Sequence, residues 1–302
     1  MIYIIITSYN EPKSTEKCIN SFLSQKIEQP FKIIVCDPFL EVQKFIEEKF
    51  MNNKNIEFFL DPGEGKSYAL NMVLSKIWSD NKEDIIIFTD GDVYVSENAV
   101  QEILNQFKDK EIGVVTGRPV SLNSREDMYG YWSHLLFDGI HRVRKRYAEQ
   151  KKYFECSGYL FAIRNGIISD FPIDVSEDSI IPYLFWQKGY KIGYAENAKV
   201  FVLNPKNEKD WFNQKIRNIK GHENLKKYVP EDMRTKTFKN EIKKGFLFAL
   251  AYPKSLKEFV WTLKLIKARV KAYKKAFEEI NSKKEYSDGW RETEIKSTKP
   301  LD

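Results

Sequence analysis

DIIIFTDGD, residues 84–92, sets two carboxylates, Asp90 and Asp92, at the end of the apolar run Ile85–Phe88. A run that is continuously apolar reads as a strand buried on both faces, because a half-exposed strand would alternate. Two like charges one residue apart cannot both stay ionised at a dry strand end without a compensating cation. Three readings are open here. A turn uses one aspartate to cap the helix that begins near Ser96, a divalent metal bridges the pair, or a nucleotide hangs from them.

Working outward, the runs IYIII, FKIIVC, IEFFL and IGVVT have the same Ile, Val and Phe character. Helix-period segments lie between the first four strands, around Ile19 and Phe22, Val42 and Ile46, and Leu70, Val73 and Leu74. Apolar strands alternating with helices predict an α/β domain whose mostly parallel sheet is covered on both faces. Ligands of such sheets sit at the carboxyl ends of the strands. Those ends read TSYNE, CDP, LDPGEGKS and TDGD, all polar.

Beyond residue 120 the pattern changes. REDMYGYWSHLLFDGIHRVRKRYAEQ predicts a long helix, CSGYLFAIR a glycine turn into a strand, and SEDSIIPYLFWQKGYKIGY an acidic loop, a short helix and a strand; AKVFVL completes the sheet. The catalytic domain is placed at residues 1–205. A helical, lysine-rich extension follows at 206–282, with a capping box at Ser255 and Glu258. Residues 283–302 read as a polar, disordered tail.

A hydrophobic content of 42% with 30% charged residues is that of a soluble globular chain and excludes general disorder. Cys18, Cys36 and Cys156 form neither a disulfide framework nor a zinc-ligand spacing, which points to a reducing, cytoplasmic setting. The opening MIYIIITSYNEP reads as a first strand rather than a signal peptide. No stretch reaches the roughly 18 apolar residues of a membrane span. The net charge of +6 permits anionic partners but falls largely beyond residue 200.

DPGEGKSYALN is not a P-loop, because Leu60 stands where the first glycine of Gly-x-x-x-x-Gly-Lys-Ser belongs. What remains is Gly65, Lys66 and backbone amides at a helix N-terminus, an anion site or a plain glycine turn. His134, Asp138 and His141 share one helix face, a spacing more often packed than metal-binding.

TSYNE, Asp37, GKSYALN, Asp-Gly-Asp and SED, taken in that order over about residues 2–222, resemble the family 2 inverting glycosyltransferases with the GT-A fold. The resemblance implies a fold, a Rossmann-like mixed sheet with helices on both faces, and a set of roles. Thr7, Tyr9, Asn10 and Glu11 would contact the nucleotide, and Asp37 would read the base edge. Lys66 with Gly65 would lie near the nucleotide, Asp90 with Gly91 would hold the ribose or metal region, and Asp92 would bind Mn2+ or Mg2+ directly. Asp178 matches the catalytic base, and Glu177 beside it would raise the pKa of that base. Gln214, Arg217 and Gly221 match a Gln-x-x-Arg-Trp motif of polymer-forming relatives, but Asn218 replaces the tryptophan, which argues against a processive synthase.

The implied reaction moves a hexose from a UDP- or GDP-sugar to a hydroxyl of a glycan or lipid-linked acceptor. Trp132, His141, Gly158 and Trp211 are the expected acceptor wall, since sugars stack on aromatic rings. The basic C-terminal helix would pack on the core, pair with another copy, or lie peripherally on the cytoplasmic face of a membrane. Rival readings are a transferase onto polyprenyl phosphate, a nucleotidyltransferase and an inactive binding module. Nucleic acid is not an expected partner, because the carboxylate-lined strand ends would repel its phosphates.

Overall fold

The computed structural model describes residues 1–282. The expected polar tail at 283–302 lies outside the described residues. Strands β1 (Ile2–Thr7), β2 (Phe31–Asp37), β3 (Ile56–Leu60) and β4 (Ile85–Asp90) alternate with helices α1 (Pro12–Leu23), α2 (Leu40–Lys49) and α3 (Lys66–Lys76). They pair in parallel in the order β3-β2-β1-β4, as continuously apolar strands joined by helices require.

The second half of the sheet is mixed. β7 (Leu160–Arg164) inserts antiparallel between β4 and β6 (Ile112–Ser121), and β8 (Lys191–Val202) runs parallel to β6. KIGY and AKVFVL, read as two pieces, belong to this one twelve-residue strand. A three-residue edge strand β5 (Val93–Val95), which the sequence reading missed, pairs antiparallel with β8. It is too short to show a periodicity of its own.

The strands divide their side chains between two cores. Ile4, Ile6, Ile33, Val35, Ile85 and Ile87 face α1, α2 and α4 (Ala99–Gln106). Ile5, Ile34, Ile86, Phe88, Phe161 and Ile163 face α3 and α6 (Glu177–Gln187). Each such side chain, buried relative to exposed, contributes about 1.5–3 kcal/mol, so this two-sided burial locks the strand register and with it the positions of the polar strand ends.

Helix α5 (Met128–Glu149) begins at Asp127, whose side chain accepts from the Gly130 amide. It carries the extension: α7 (Glu208–Asn224), α8 (Phe238–Ala251) and α9 (Leu256–Asn281). Tyr131, Trp132 and Leu135 of α5 pack with Trp211 of α7 and Leu265 and Ala268 of α9. Leu225 and Val229, just after α7, enter the core between sheet and α6. The extension is therefore packed into the sheet domain rather than hung from it.

At the start of α9, Ser255 accepts from the Glu258 amide as a capping box requires. The Glu258 carboxylate does not close the box on Ser255. It accepts instead from the Lys254 amide at 2.6 Å and from Arg125, tying α9 to the start of α5. The apolar turn of α8 leaves Phe246 and Leu247 exposed, and no residue of α8 is fully buried.

Candidate active site

A cavity of about 770 Å³ opens where the carboxyl ends of β1, β2 and β4 meet α6 and α7. This is the ligand position of an open α/β sheet. Thr7, Tyr9, Pro38, Asp61, Gly65, Lys66 and Asp90 line it from the strand ends and α3, and Gly158, Glu177, Asp178, Gln214, Arg217, His222 and Lys236 from the segments beyond β6.

Lys66 enters it from the start of α3. Its Nζ lies 2.6 Å from Asp90 Oδ1 and 2.6 Å from Glu177 Oε1. Burial works against the ammonium, but the Asp90 and Glu177 carboxylates outweigh it and hold the pKa above the ordinary lysine value. Gly65 caps α3 at φ +109°, a left-handed value that glycine accommodates without strain, and so starts the helix at Lys66.

Gly91 is demanded by space. A Cβ there would lie 2.6 Å from Ser8 Cβ, because its amide is drawn to Thr7 O at 2.7 Å. This contact turns the chain between the two aspartates. Asp90 faces the cavity, while Asp92 is buried and is not part of the cavity lining.

Asp37 also lies behind the wall. It is fully buried, and its carboxylate accepts from Ser8 Oγ (2.6 Å) and the amides of Asn10 (2.9 Å) and Phe39 (2.9 Å). Burial raises its pKa against these three donors. In this arrangement Asp37 braces the β1–α1 loop, in which Asn10 takes a positive φ of 54° and Tyr9 packs edge-on against Phe39 at 5.0 Å. Glu11 is buried at the start of α1 and is not part of the cavity lining.

The two acids of SED stand in the first turn of α6 rather than in a loop, with Ser176 as N-cap. They face different partners. Asp178 Oδ2 accepts from the Gly158 amide at 3.1 Å and from Lys236 Nζ at 3.0 Å. The expectation that Glu177 raises the Asp178 pKa is corrected. Burial pushes it up, but Lys236 and the other cations nearby prevail and hold it below the usual carboxylate range. Glu177 is turned away to Lys66, which neutralises it.

The expected acceptor wall is also revised. Trp132 and Trp211 are 4% and 2% exposed and pack against each other with centroids 5.0 Å apart. Trp132 Nε1 donates to Trp261 O, which fixes it between α5 and α9. His141 points to the Tyr194 hydroxyl at 2.7 Å and is not part of the cavity lining. His134 is bonded to Asn123 O and Asp138 to the Tyr252 hydroxyl, so each polar group of that helix face has a hydrogen-bond partner. Gly158 does line the cavity.

Glu155, His222 and Lys236 were missed by the sequence reading. None sits in a motif, and only the chain's return after α7 brings Lys236 to Asp178. Gln214 and Arg217 reach the cavity from α7, as their motif suggests.

The fold defines an α/β domain of the GT-A class, with a cavity at the strand ends lined by acids and by Lys66 and Lys236. A profile of glycosyl transferase family 2 matches residues 3–171, more than half of the chain, and the chain belongs to that family. The poly-beta-1,6-N-acetyl-D-glucosamine synthase of Staphylococcus aureus strain COL is 24% identical over 245 residues, 78% of this chain and 58% of the relative. The same synthase from strain MSSA476 matches with the same figures. The chain thus spans a little over half the length of these curated relatives. Among solved structures, S. aureus TarS 1-349 in complex with UDP-GlcNAc superimposes with a TM-score of 0.50 at 14% identity, covering 93% of this chain and 91% of that one. A longer TarS structure gives 0.51 at 14% identity, covering 92% and 55%. These likenesses support the fold.

Among the described residues, no three His, Cys, Asp or Glu side chains stand together as a metal cage. No helix among them is long and apolar enough to cross a membrane.

Proposed function

We propose that the chain is an inverting glycosyltransferase that moves a hexose from a nucleoside-diphosphate sugar to a hydroxyl of a glycan or lipid-linked acceptor. The observation that carries this reading is the division of labour between adjacent acids, Glu177 neutralised by Lys66 and Asp178 presented to the cavity opposite it. UDP-N-acetylglucosamine is the first donor to test, because one relative is named as a synthase of an N-acetylglucosamine polymer and TarS is seen in complex with UDP-GlcNAc.

The nucleoside would lie against Thr7, Tyr9, Pro38 and Asp61, with Asp37 holding the loop that forms the base pocket. Lys66 at the N-terminus of α3 would face the diphosphate, supported by Arg217 and Gln214. The site's donors are carboxylate oxygens, which suit a hard ion that keeps most of its ligands as water and phosphate. Asp90, on the cavity wall, would hold Mn2+ or Mg2+ there, and Asp92, buried behind it, would reach the ion only by turning its carboxylate outward. Such an ion supplies positive charge for the departing diphosphate.

In the reaction the acceptor oxygen bonds to the anomeric carbon from the face opposite the diphosphate. The bond from that carbon to the phosphate oxygen breaks, and its electron pair leaves with the nucleoside diphosphate. Asp178 accepts the proton of the attacking hydroxyl. A polyprenyl-phosphate acceptor, already anionic, would not need that base.

The test is the product. Incubation with UDP-N-acetylglucosamine or a GDP-hexose should release nucleoside diphosphate and a sugar of inverted anomeric configuration. Release of pyrophosphate would identify a nucleotidyltransferase, and no turnover with any sugar nucleotide would leave a binding module.

A membrane setting is supported by α9. Leu256, Phe259, Leu263, Val270 and Phe277 are exposed at helical spacing, and Lys264, Lys267, Lys271 and Lys274 share the helix. An apolar stripe beside lysines suits peripheral contact with anionic lipid headgroups.

A further inference from the structure

Glu155 is 2% exposed, precedes β7, and has no place in the roles proposed so far. A buried carboxylate costs several kcal/mol unless it is paired and hydrogen-bonded. Here every partner belongs to one construction. Oε1 accepts from the Thr235 amide (2.8 Å), Thr235 Oγ1 (2.9 Å) and the Lys236 amide (3.2 Å). Oε2 accepts from Ser179 Oγ (2.8 Å) and lies 3.4 Å from His222 Nδ1 and 3.7 Å from Lys236 Nζ.

This carboxylate therefore binds the backbone of the α7–α8 connection on one oxygen and α6 and α7 on the other. The Lys236 side chain is delivered to Asp178 Oδ2 at 3.0 Å and to Cys156 O at 3.3 Å. With the Gly158 amide also on Oδ2, both close donors hold the same oxygen of Asp178. Oδ1 has only a 3.4 Å contact with Ser179 Oγ, a hydroxyl whose shorter bond goes to Glu155. The effect is to fix the carboxylate plane through Oδ2 and to leave Oδ1 the more weakly held oxygen.

We propose that Lys236, held in place by the buried tether Glu155, is a positioning residue for Asp178, orienting the carboxylate and keeping it ionised at the cavity wall. The inference rests on Asp178 being the base. Neither residue need touch donor or acceptor.

The charged and titratable groups facing Asp178 come from five elements. They are Lys236 on the connection, His222 on α7, Arg144 on α5, Glu155 and the Cys156 thiol before β7, and Glu177 on α6 itself, which is spent on Lys66. Tyr153 and Tyr159 stay protonated, since burial raises both phenols. The thiol is likewise held protonated by burial. Burial, with Lys236 beside it, disfavours the His222 imidazolium. Arg144 is committed to the carbonyls of Glu155 and Cys156. Lys236 is thus the cation whose loss Asp178 should register. Without it the base would bind its proton more tightly, and the acid limb of the rate profile would move to higher pH.

The test is the pH profile of UDP release from UDP-N-acetylglucosamine, with water or a chitooligosaccharide as acceptor, for the full chain and the variants Lys236→Met, Lys236→Arg, Glu155→Gln and Asp178→Asn. Circular dichroism melts and UDP titration check folding and donor binding. Lys236→Met should lower kcat about tenfold or more, less than the roughly 10²–10⁴-fold lost with the base itself, with donor KM within about twofold. Its acid limb should move upward, and Lys236→Arg should restore both. Glu155→Gln should lower kcat in the same direction, through loss of the tether that places Lys236.

A wild-type limb and kcat in Lys236→Met, with Asp178→Asn inactive, would overturn the role of Lys236 and leave the base standing. A Lys236→Arg variant no better than Lys236→Met would also overturn it. Wild-type turnover in Asp178→Asn would overturn the base assignment itself, and no turnover by the wild-type chain would overturn the transferase reading beneath both.

Discussion

Glu177 and Asp178, neighbours in the chain, are held by lysines from opposite sides of one cavity: Glu177 Oε1 by Lys66 at 2.6 Å and Asp178 Oδ2 by Lys236 at 3.0 Å. Successive residues in a helix's first turn point about 100° apart, so one turn of α6 serves two functions. Glu177 completes the side of the cavity assigned to the donor, and Asp178 faces the side assigned to the acceptor.

Lys66→Met should weaken UDP binding at least tenfold and lower the melting temperature. It leaves the buried Glu177 and the partly exposed Asp90 without their cation. Loss of one partner of a buried pair costs roughly 3–5 kcal/mol. Partial exposure of Lys66 and Asp90 puts the expected cost at the lower end. The double variant Lys66→Met/Glu177→Gln should recover part of the stability but not the binding. Calorimetric titration and thermal melts read the two effects separately, and wild-type UDP affinity in Lys66→Met would remove Lys66 from the donor site.

Asp92→Ala should abolish any manganese-dependent component of nucleotide binding. Titration with UDP and with GDP, each with and without manganese, also selects the donor base. Unchanged affinity in the variant would sink the assignment of Asp92 to the ion and leave it as a residue of the β4–β5 turn.

Asp178→Asn should bind donor as the wild type does and lose transfer to a hydroxyl by about 10²–10⁴-fold. Since the folded pKa of Asp178 is depressed, its contribution to stability is present above the ordinary carboxylate range and is lost as pH falls through the lower folded value. The asparagine variant should therefore show a smaller loss of stability on acidification than the wild type. Arg217→Ala should fall between, with reduced turnover and intact folding. A wild-type rate would return Arg217 to the helix surface.

Trp132→Ala should cost about 3–5 kcal/mol of stability, while Trp132→Phe, which keeps most of the packing, should leave acceptor KM unchanged. A raised acceptor KM in the folded phenylalanine variant would restore Trp132 to the acceptor site despite its burial.

Sedimentation with vesicles tests α9. Vesicles rich in phosphatidylglycerol should retain the protein at low ionic strength, and phosphatidylcholine vesicles should not. Leu263→Asp/Val270→Asp should release it. Equal binding to both vesicle types would exclude the lysines as the recognising groups.

Much of this protein was legible in its sequence. Ile85–Phe88 and its sister runs are apolar without alternation, and that pattern belongs to strands covered on both faces. The order of TSYNE, Asp37, Gly65-Lys66 and Asp90 identified the polar strand ends, because a parallel sheet brings such ends to one edge, whereas Glu177-Asp178 arrive from the first turn of α6.

Tertiary structure alone decided which of these groups meet. Trp132 and Trp211 looked like a sugar-stacking wall, but the packing of α5, α7 and α9 buries them. Glu177 looked like a modulator of Asp178 until Lys66 was found to hold it. Lys236 lies 58 positions from Asp178 and Thr235 80 positions from Glu155, separations that carry no periodic or motif signal. Local pattern reports which face of an element is apolar. The partner of a buried charge is set by where distant segments come to rest, since only there can its desolvation be offset.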